Sequence, residues 1–239
     1  MQLYNFNFDV AETQADKARL LEAIYRLRYQ VYVKEWGFEK PDDHPGGLEK
    51  DDYDQYSRHI YAYIGAMDNV VGTARIILPS DHLFPLQENF DFEENLFNHP
   101  DHRFAEVSRL AISKDFSRRA IDRVIFGTDS NFADELGRHH ENMQNIEKER
   151  RKCEHELVRG LYMMIYRESL IQELTHWCAV MAKGLYLILS RWGIPFNQIG
   201  PEKEYHGVRA PYVLSIKNLE ATIEKKNPAL LQQARCGFV

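Results

Sequence analysis

The chain has 239 residues, 44% of them hydrophobic, which suits one large α/β domain with a full core. Its formal net charge of −6 leaves no global basic field to attract nucleic acid or an anionic membrane. Cys153, Cys178 and Cys236 are too few and too scattered for a disulfide framework, and Met1-Gln-Leu-Tyr-Asn-Phe6 lacks the basic region and apolar run of a signal peptide. A reducing, cytoplasmic setting is therefore expected.

Residues 1–12 read as an edge strand, with Tyr4, Phe6 and Phe8 alternating. Thr13-Gln-Ala-Asp16 resembles a capping box and predicts a helix with Leu20, Leu21, Ile24, Leu27 and Val31 on one stripe, ended by Gly37. Arg28, Tyr32 and Trp36 lie four apart on a second stripe and are candidates to point into one site; a solvated Arg beside two half-buried aromatics is the plainer alternative. Pro41, Pro45, Gly46 and Gly47 mark a loop closed by the acidic run Glu49-Lys-Asp-Asp-Tyr-Asp54, which is either a solvated face or a binder of a cationic amine. His59 to Gly65 and Val70 to Leu78 flank a short Ala-Met-Asp-Asn connection and predict a hairpin. Residues 80–103 are aromatic-rich without period, either a flap over a site or a surface loop.

Phe104-Ala-Glu-Val-Ser-Arg-Leu-Ala-Ile-Ser113 reads as a buried central strand, yet it holds Glu106, Ser108 and Arg109. The preceding strand holds Arg75 in an apolar run. Ions in central strands must be paired, exposed to a cleft, or functional. These residues are read as one polar pocket across two strands, with a purely structural Glu–Arg tie as the alternative.

Arg118, Arg119 and Arg123 form a small basic patch at an expected helix start. Residues 127–154 are strongly polar and read as an insertion, an exposed helix or disordered, in an otherwise single domain spanning 1–239. His139, His140, Cys153 and His155 match none of the usual zinc spacings, so no metal is expected. Leu157 to Leu174 predicts a long amphipathic helix, and Thr175 to Met181 a buried strand. His176 and Cys178 share one face of that strand, which admits a Cys–His pair, although i, i+2 neighbours do not reliably meet in hydrogen-bond geometry. Gly184 to Trp192 is a short helix, Gly200-Pro201 and Tyr205 to Pro211 are turns, Tyr212 to Ile216 is a last strand, and the tail from Glu220 is helical. No apolar stretch is long enough to span a bilayer. The order of elements predicts an α/β (α+β) chain with a mixed central sheet flanked by helices.

Four motifs occur in order: Arg28, Tyr32, Trp36; Glu49-x-Asp51-x-x-Asp54; Gly72-x-x-Arg75-x-x-x-Pro79; and Glu106-x-Ser108-Arg109-x-Ala111. Together they resemble the signature of the acyl-homoserine-lactone (autoinducer) synthases and the related N-acyl amino acid synthases, which often have Phe where Tyr32 stands. The polar insertion and Tyr205-His-Gly-Val-Arg-Ala-Pro-Tyr212 are more similar to the acyltransferases associated with PEP-CTERM/exosortase systems. The resemblance runs from about Leu20 to about Glu220. It implies a GNAT-like acyl-CoA N-acyltransferase fold, whose mixed sheet splays near a bulge in its fourth strand to admit the pantetheine arm of a thioester. On an unbroken strand Glu106 and Arg109 face opposite sides, whereas a bulge between them brings both to one pocket.

The implied activity is N-acyl transfer from a fatty acyl carrier protein thioester to the amine of a small molecule, an amino acid foremost. The resemblance makes Glu106 the base, with Arg109 and Ser108 beside it as catalytic candidates. It makes Arg28, Tyr32, Trp36, Asp51, Asp54 and Arg75 substrate-binding. Lys114-Asp-Phe-Ser-Arg-Arg119 has no Gly, unlike the pyrophosphate cradle of coenzyme-A-using acetyltransferases. Arg118, Arg119 and Arg123 are thus expected to meet an acidic acyl carrier protein. No tightly bound cofactor is expected; the acyl-phosphopantetheine thioester, on a carrier or on coenzyme A, is a substrate. The alternatives are an acetyl-CoA-dependent N-acetyltransferase and a non-catalytic acyl-carrier or lipid-binding module.

Overall fold

The computed structural model describes residues 6–11, 17–93, 96–114, 139–226 and 228–236. In chain order these residues form β1 (Asn7–Ala11), α1 (Lys17–Tyr29), β2 (Ser57–Tyr63), β3 (Val70–Ile77), α2 (Pro85–Asn89), β4 (Phe104–Ile112), α3 (His139–Ile171), β5 (His176–Met181), α4 (Lys183–Trp192), β6 (Asn197–Gln198), β7 (Lys203–Glu204), β8 (Val208–Ser215), α5 (Ile216–Lys226) and α6 (Pro228–Cys236). The strands make an eight-stranded sheet of order β1-β2-β3-β4-β5-β8-β6, with β7 pairing β8. Every pairing is antiparallel except β4 with β5. A parallel neighbour requires a crossover, and α3 lies in it.

Alternation along the strands separates two faces. Ile60, Ala62, Ala74, Ile76, Ala105, Val107, Trp177, Ala179, Tyr212 and Leu214 point to one face, which α3 covers with Leu157, Leu161, Tyr162 and Ile165, joined by Leu189, Leu219 and Leu231. Gly72 permits the close approach of β3 to α3, since a Cβ there would lie 3.2 Å from Leu157. The opposite face carries His59, Tyr61, Arg75, Ile77, Phe104, Glu106 and Cys178. There α1 packs Ile24 on Tyr61, while Phe84 and Leu86 cover Ile77, Phe104 and Cys178. The two anomalous arginines and the strand carboxylate thus lie on the face away from the main core.

β4 is the strand that places the site. It pairs with β5 only through Phe104↔His176, Ala105↔Trp177 and Glu106↔Cys178. From Val107 onward it keeps β3 alone as its described neighbour, and the sheet opens between β4 and β5. This is the splay that the resemblance implies.

Three expectations are refined. The last strand begins at Val208 rather than Tyr212, because residues 203–209 turn back on themselves as a β7–β8 hairpin. The polar stretch is helical from His139 and runs unbroken into the amphipathic segment of α3; residues 127–138 lie outside the described residues. Residues 80–103 contain the short helix α2, and Phe84, Leu86 and Phe90 within them are buried. The capping box at Thr13–Asp16 lies outside the described residues. No described helix is long and apolar enough to cross a membrane.

Gly200 tests how tightly the hairpin base is seated. A Cβ there would come within 2.2 Å of the Asp91 carbonyl oxygen and 2.9 Å of Pro211 Cγ, so backbone must move. Gly200→Ala is expected to lower the free energy of unfolding by roughly 1–3 kcal/mol in urea titration. Gly184→Ala, with nothing within 4 Å of the new methyl, is expected to be neutral or stabilising by up to about 1 kcal/mol.

Candidate active site

The site begins with a backbone irregularity. Between the pairs Thr73↔Ala111 and Arg75↔Ser108, β4 has one more residue than β3. Arg109 occupies this bulge at φ 50°, a conformation a non-glycine residue holds only when its surroundings impose it. The hydroxyl of Tyr32 donates to the Leu110 carbonyl at 2.8 Å, satisfying an acceptor within the bulge. The Tyr32 ring also lies under the Arg109 guanidinium, 5.5 Å from centroid to Cζ. The extra residue brings Arg109 to the face that Arg75 and Ser108 share, for both arginines reach Asp51.

Around Asp51 the ions form one network. Arg28 donates through Nε to Glu49 and through Nη1 and Nη2 to Asp54 at 2.7 and 3.2 Å. Arg75 donates through Nη1 to Asp51 at 2.5 Å and Asp54 at 2.9 Å, and through Nε to Ser108 Oγ at 3.1 Å. Arg109 donates to Glu49 at 3.0 Å and Asp51 at 3.1 Å. Asp51 and Asp54 also close a reciprocal cap on the 3-10 turn Asp52–Tyr56, which fixes the acidic run in place. Arg28 is 1% exposed, whereas Arg109 keeps 24% of its side chain open. Burial pushes the Asp54 carboxyl up, but Arg28 and Arg75 outweigh it and hold it far below the usual carboxylate range. Glu49 and Asp51 are lowered likewise, against burial, by Arg28 with Arg109 and by Arg75 with Arg109. Arg75 Nη2, on the guanidinium edge that meets Ser108, is buried without a hydrogen-bond partner among the described residues.

Glu106 behaves differently. It is 3% exposed and forms no ion pair among the described residues; Oε2 accepts one hydrogen bond, from the Leu86 N–H at 2.8 Å. Burial drives its pKa up to about 7, and the opposing pull of the Leu86 N–H, Arg75 and Arg109 is the lesser effect. It lies at the last β4–β5 pair, where the sheet starts to open. A carboxylate that exchanges its proton near neutrality at the mouth of a sheet opening is suited to general base chemistry.

The structure therefore brings Arg28, Asp51, Asp54, Arg75, Ser108 and Arg109 together, with Glu106 beside them. Tyr32 supports the bulge. Trp36 does not join them: the turn at Gln30–Glu35 is a π-helix, with Trp36 N–H on the Val31 carbonyl at 3.0 Å, so the four-residue spacing loses its phase. Trp36 is 57% exposed and rests on Phe38. Cys178 donates to the Ala105 carbonyl at 3.6 Å rather than pairing with His176, and burial with the nearby Glu106 raises its thiol well above the usual range. No group of metal-binding side chains occurs among the described residues. Arg118, Arg119 and Arg123 lie outside them. Sequence reading left Glu49 out of the site residues, although it bridges two arginines and stands two positions before Asp51.

Residues 27–126 match the family model described as an acetyltransferase (GNAT) domain. The fold is similar to that of TofI in a ternary complex with an inhibitor and MTA, at 17% identity and TM-score 0.62, covering 95% of this chain and 96% of that one. It is similar to the CoA-dependent acyl-homoserine lactone synthase BjaI with SAM and isopentyl-CoA, at 17% identity and TM-score 0.59, covering 96% and 97%. It is also similar to FeeM, an N-acyl amino acid synthase from uncultured soil microbes, at 14% identity and TM-score 0.57, covering 93% and 96%. The sequence matches no curated protein. The chain thus has the GNAT-like fold, in the form that these synthases share.

Two substitutions test the electrostatic reading. Arg28→Met leaves Glu49 and Asp54 without their main cation and is expected to cost roughly 3–5 kcal/mol of folding stability by chemical denaturation. Glu106→Gln should do the reverse at alkaline pH. The unfolded carboxyl ionises near its ordinary value of 4.5 and the folded one only near 7, so wild-type stability falls as pH rises between these values. The variant is therefore expected to exceed wild type by up to about 3 kcal/mol at pH 8, and by much less at pH 5.

Proposed function

We propose that the chain is an N-acyltransferase that moves a fatty acyl group from an acyl carrier protein thioester to the amine of an amino acid. The observation that carries this reading is Glu106: a buried carboxyl with a pKa near 7, at the point where β4 and β5 part. The GNAT-type match and the similarity to acyl-homoserine-lactone and N-acyl amino acid synthase folds support the reaction class.

A protonated amine is not a nucleophile. Glu106 takes its proton, directly or through one water, and the freed amine nitrogen attacks the thioester carbon. Backbone N–H groups of β4 beyond Glu106, which have no partner on β5, are positioned to meet the tetrahedral oxyanion. As the C–S bond breaks, the nitrogen sheds its second proton, which passes to the departing thiolate; the amide remains, and the proton held by Glu106 returns to water. Ser108 and Arg109 keep the roles of catalytic neighbours, Ser108 by bracing Arg75. Arg75 Nη2 and the open side of Arg109 supply donors for the acceptor's carboxylate. Arg28 and Asp54, each saturated by ion pairs, act by shaping the pocket, as Tyr32 does by holding the bulge.

The donor is proposed to ride on a carrier protein because the segment after β4, Lys114 to Arg119, has no glycine for a pyrophosphate cradle. Arg118, Arg119 and Arg123 supply charge for such a carrier. Coenzyme A is the rival donor, since one similar synthase is CoA-dependent. Affiliation with the PEP-CTERM/exosortase branch is proposed on the polar stretch and the Tyr205–Tyr212 motif.

Thiol release from a long-chain acyl carrier protein, with and without amino acids, tests this reading. Release is expected to require an amino acid, to rise with pH through about 7, and to fall at least about 100-fold in Glu106→Gln. Acyl-CoA consumption without carrier turnover moves the donor to coenzyme A. Absence of turnover with either donor leaves a binding module.

A further inference from the structure

Three histidines meet at the closed end of the β4–β5 pair, outside the chemistry above. His99 and His102 come from the turn before β4, and His176 opens β5 opposite Phe104. The His99 and His102 rings stack with centroids 4.2 Å apart at 22°, and the His102 ring lies 4.1 Å from that of His176. His176 in turn stacks on Phe104 at 4.8 Å, and Phe104 lies 4.5 Å from Phe97. The His102 N–H donates to the His99 carbonyl at 3.1 Å, and the Arg103 N–H donates to Thr175 Oγ1 at 2.8 Å.

Rings this close are stable together only while neutral. Thr175 Oγ1 stands 2.9 Å from His176 Nδ1 and 3.4 Å from the Arg103 carbonyl, so its proton goes to the ring, and His176 keeps its own proton on Nε2. His102 Nδ1 is buried without a hydrogen-bond partner among the described residues. Protonating two neighbours sets like charges about 4 Å apart. The surroundings offer little to offset them. Asp101 comes to 4.0 Å of His99 Nδ1, but its side chain is 88% exposed. Arg103 and Glu173, the flanking charged residues, are exposed as well, and β8 presents Ser215 opposite His176. Glu106, on the same face two residues beyond Phe104, is itself protonated on the acid side of pH 7. Burial first, and then His102 and His99, push the His176 ring down to about 4.

The stack caps the apolar cluster that covers Glu106. Phe104 and Cys178 join Ile77, Phe84, Leu86 and Val213 in that cluster, and Phe97 packs against it. Leu86 lends its N–H to Glu106. Phe97 and the two turn histidines lie on the segment that links α2 to β4. Lifting the turn off His176 therefore draws Phe97 away from Phe104 and opens one end of the cluster. Repulsion within the stack acts along this path, because its two sides belong to different elements, the turn and β5.

We propose that the His99–His102–His176 stack is an acid-labile seal: neutral, it holds the 97–103 turn on β5 and closes the cover of Glu106; protonated, it drives the turn away and admits water to that carboxyl. This goes beyond the acyltransferase reading, and its test needs no substrate. The His176 ring ionises near its ordinary 6.5 once the turn lifts and near 4 while the turn is seated. The closed state is thus fully favoured above about 6.5 and weakens as pH falls toward 4. Hydrogen exchange read by mass spectrometry at pH 7.5 and 5.5, with labelling times scaled to the intrinsic rate, reports the opening in residues 97–106, with β2 as the reference. Wild type is expected to lose about tenfold in protection over 97–106 at pH 5.5, with β2 unchanged. The double variant His102→Phe, His176→Phe keeps the rings without the charge and is expected to stay closed at both pH values. His102→Lys carries a fixed charge and is expected to open the segment about tenfold already at pH 7.5, which keeps the test if the double variant does not fold. A loss below about threefold in wild type, an equal loss in the folded double variant, a loss shared by β2, or unchanged protection in His102→Lys overturns the proposal.

Discussion

Three arginines and three carboxylates, Arg28, Arg75 and Arg109 with Glu49, Asp51 and Asp54, hold one another out of water on the site face of the sheet. They come from α1, the acidic turn, β3 and β4, so the network ties these elements together on the face of the sheet opposite the main core. Each ion buried here has lost hydration that its partners must replace, and loss of any one leaves a charge uncompensated. The arrangement therefore specifies relative position more than it adds net stability. It also balances in charge, which matters for Glu106. With Arg75 and Arg109 committed to Asp51 and Glu49, their pull on Glu106 is too weak to overcome burial, and its proton stays exchangeable near neutrality.

β4 does two jobs along its length. Its first residues pair on both sides and anchor Glu106; its later residues keep β3 and lose β5. The bulge at Arg109 falls in that second half, and Tyr32 pins it from α1's extension. The same departure that frees a strand edge for a thioester thus turns a guanidinium toward the acids. A strand obeying strict alternation would send Arg109 into the face packed by α3, away from Glu49 and Asp51. In this sense the strained backbone and the buried network depend on each other.

Local pattern was enough for much of this. The hairpin of β2 and β3, the amphipathic stripe of α1, and the apolar run of β4 interrupted by Glu106, Ser108 and Arg109 follow from periodicity and turn chemistry. The bulge itself was implied by the family resemblance; alternation alone leaves Glu106 and Arg109 on opposite sides. Trp36 shows the limit of such reasoning. Its spacing from Arg28 and Tyr32 assumes an α-helical phase, and a π-turn changes that phase without a residue type that announces it.

What the amino-acid sequence determined by itself was the inventory and its conflicts: ions embedded in apolar strands, acids gathered before a strand, and a mixed order of helices and strands. Those follow from side-chain hydrophobicity and backbone period, which are local properties. Tertiary structure decided which ions meet, since Glu49 bridges Arg28 and Arg109 across 21 and 60 positions of chain. It decided that Glu106 is buried, accepts the Leu86 N–H across 20 positions of chain, and is ion-paired to none of the described residues. Burial and long-range electrostatics set those outcomes, and both depend on what folds over a residue rather than on what precedes or follows it.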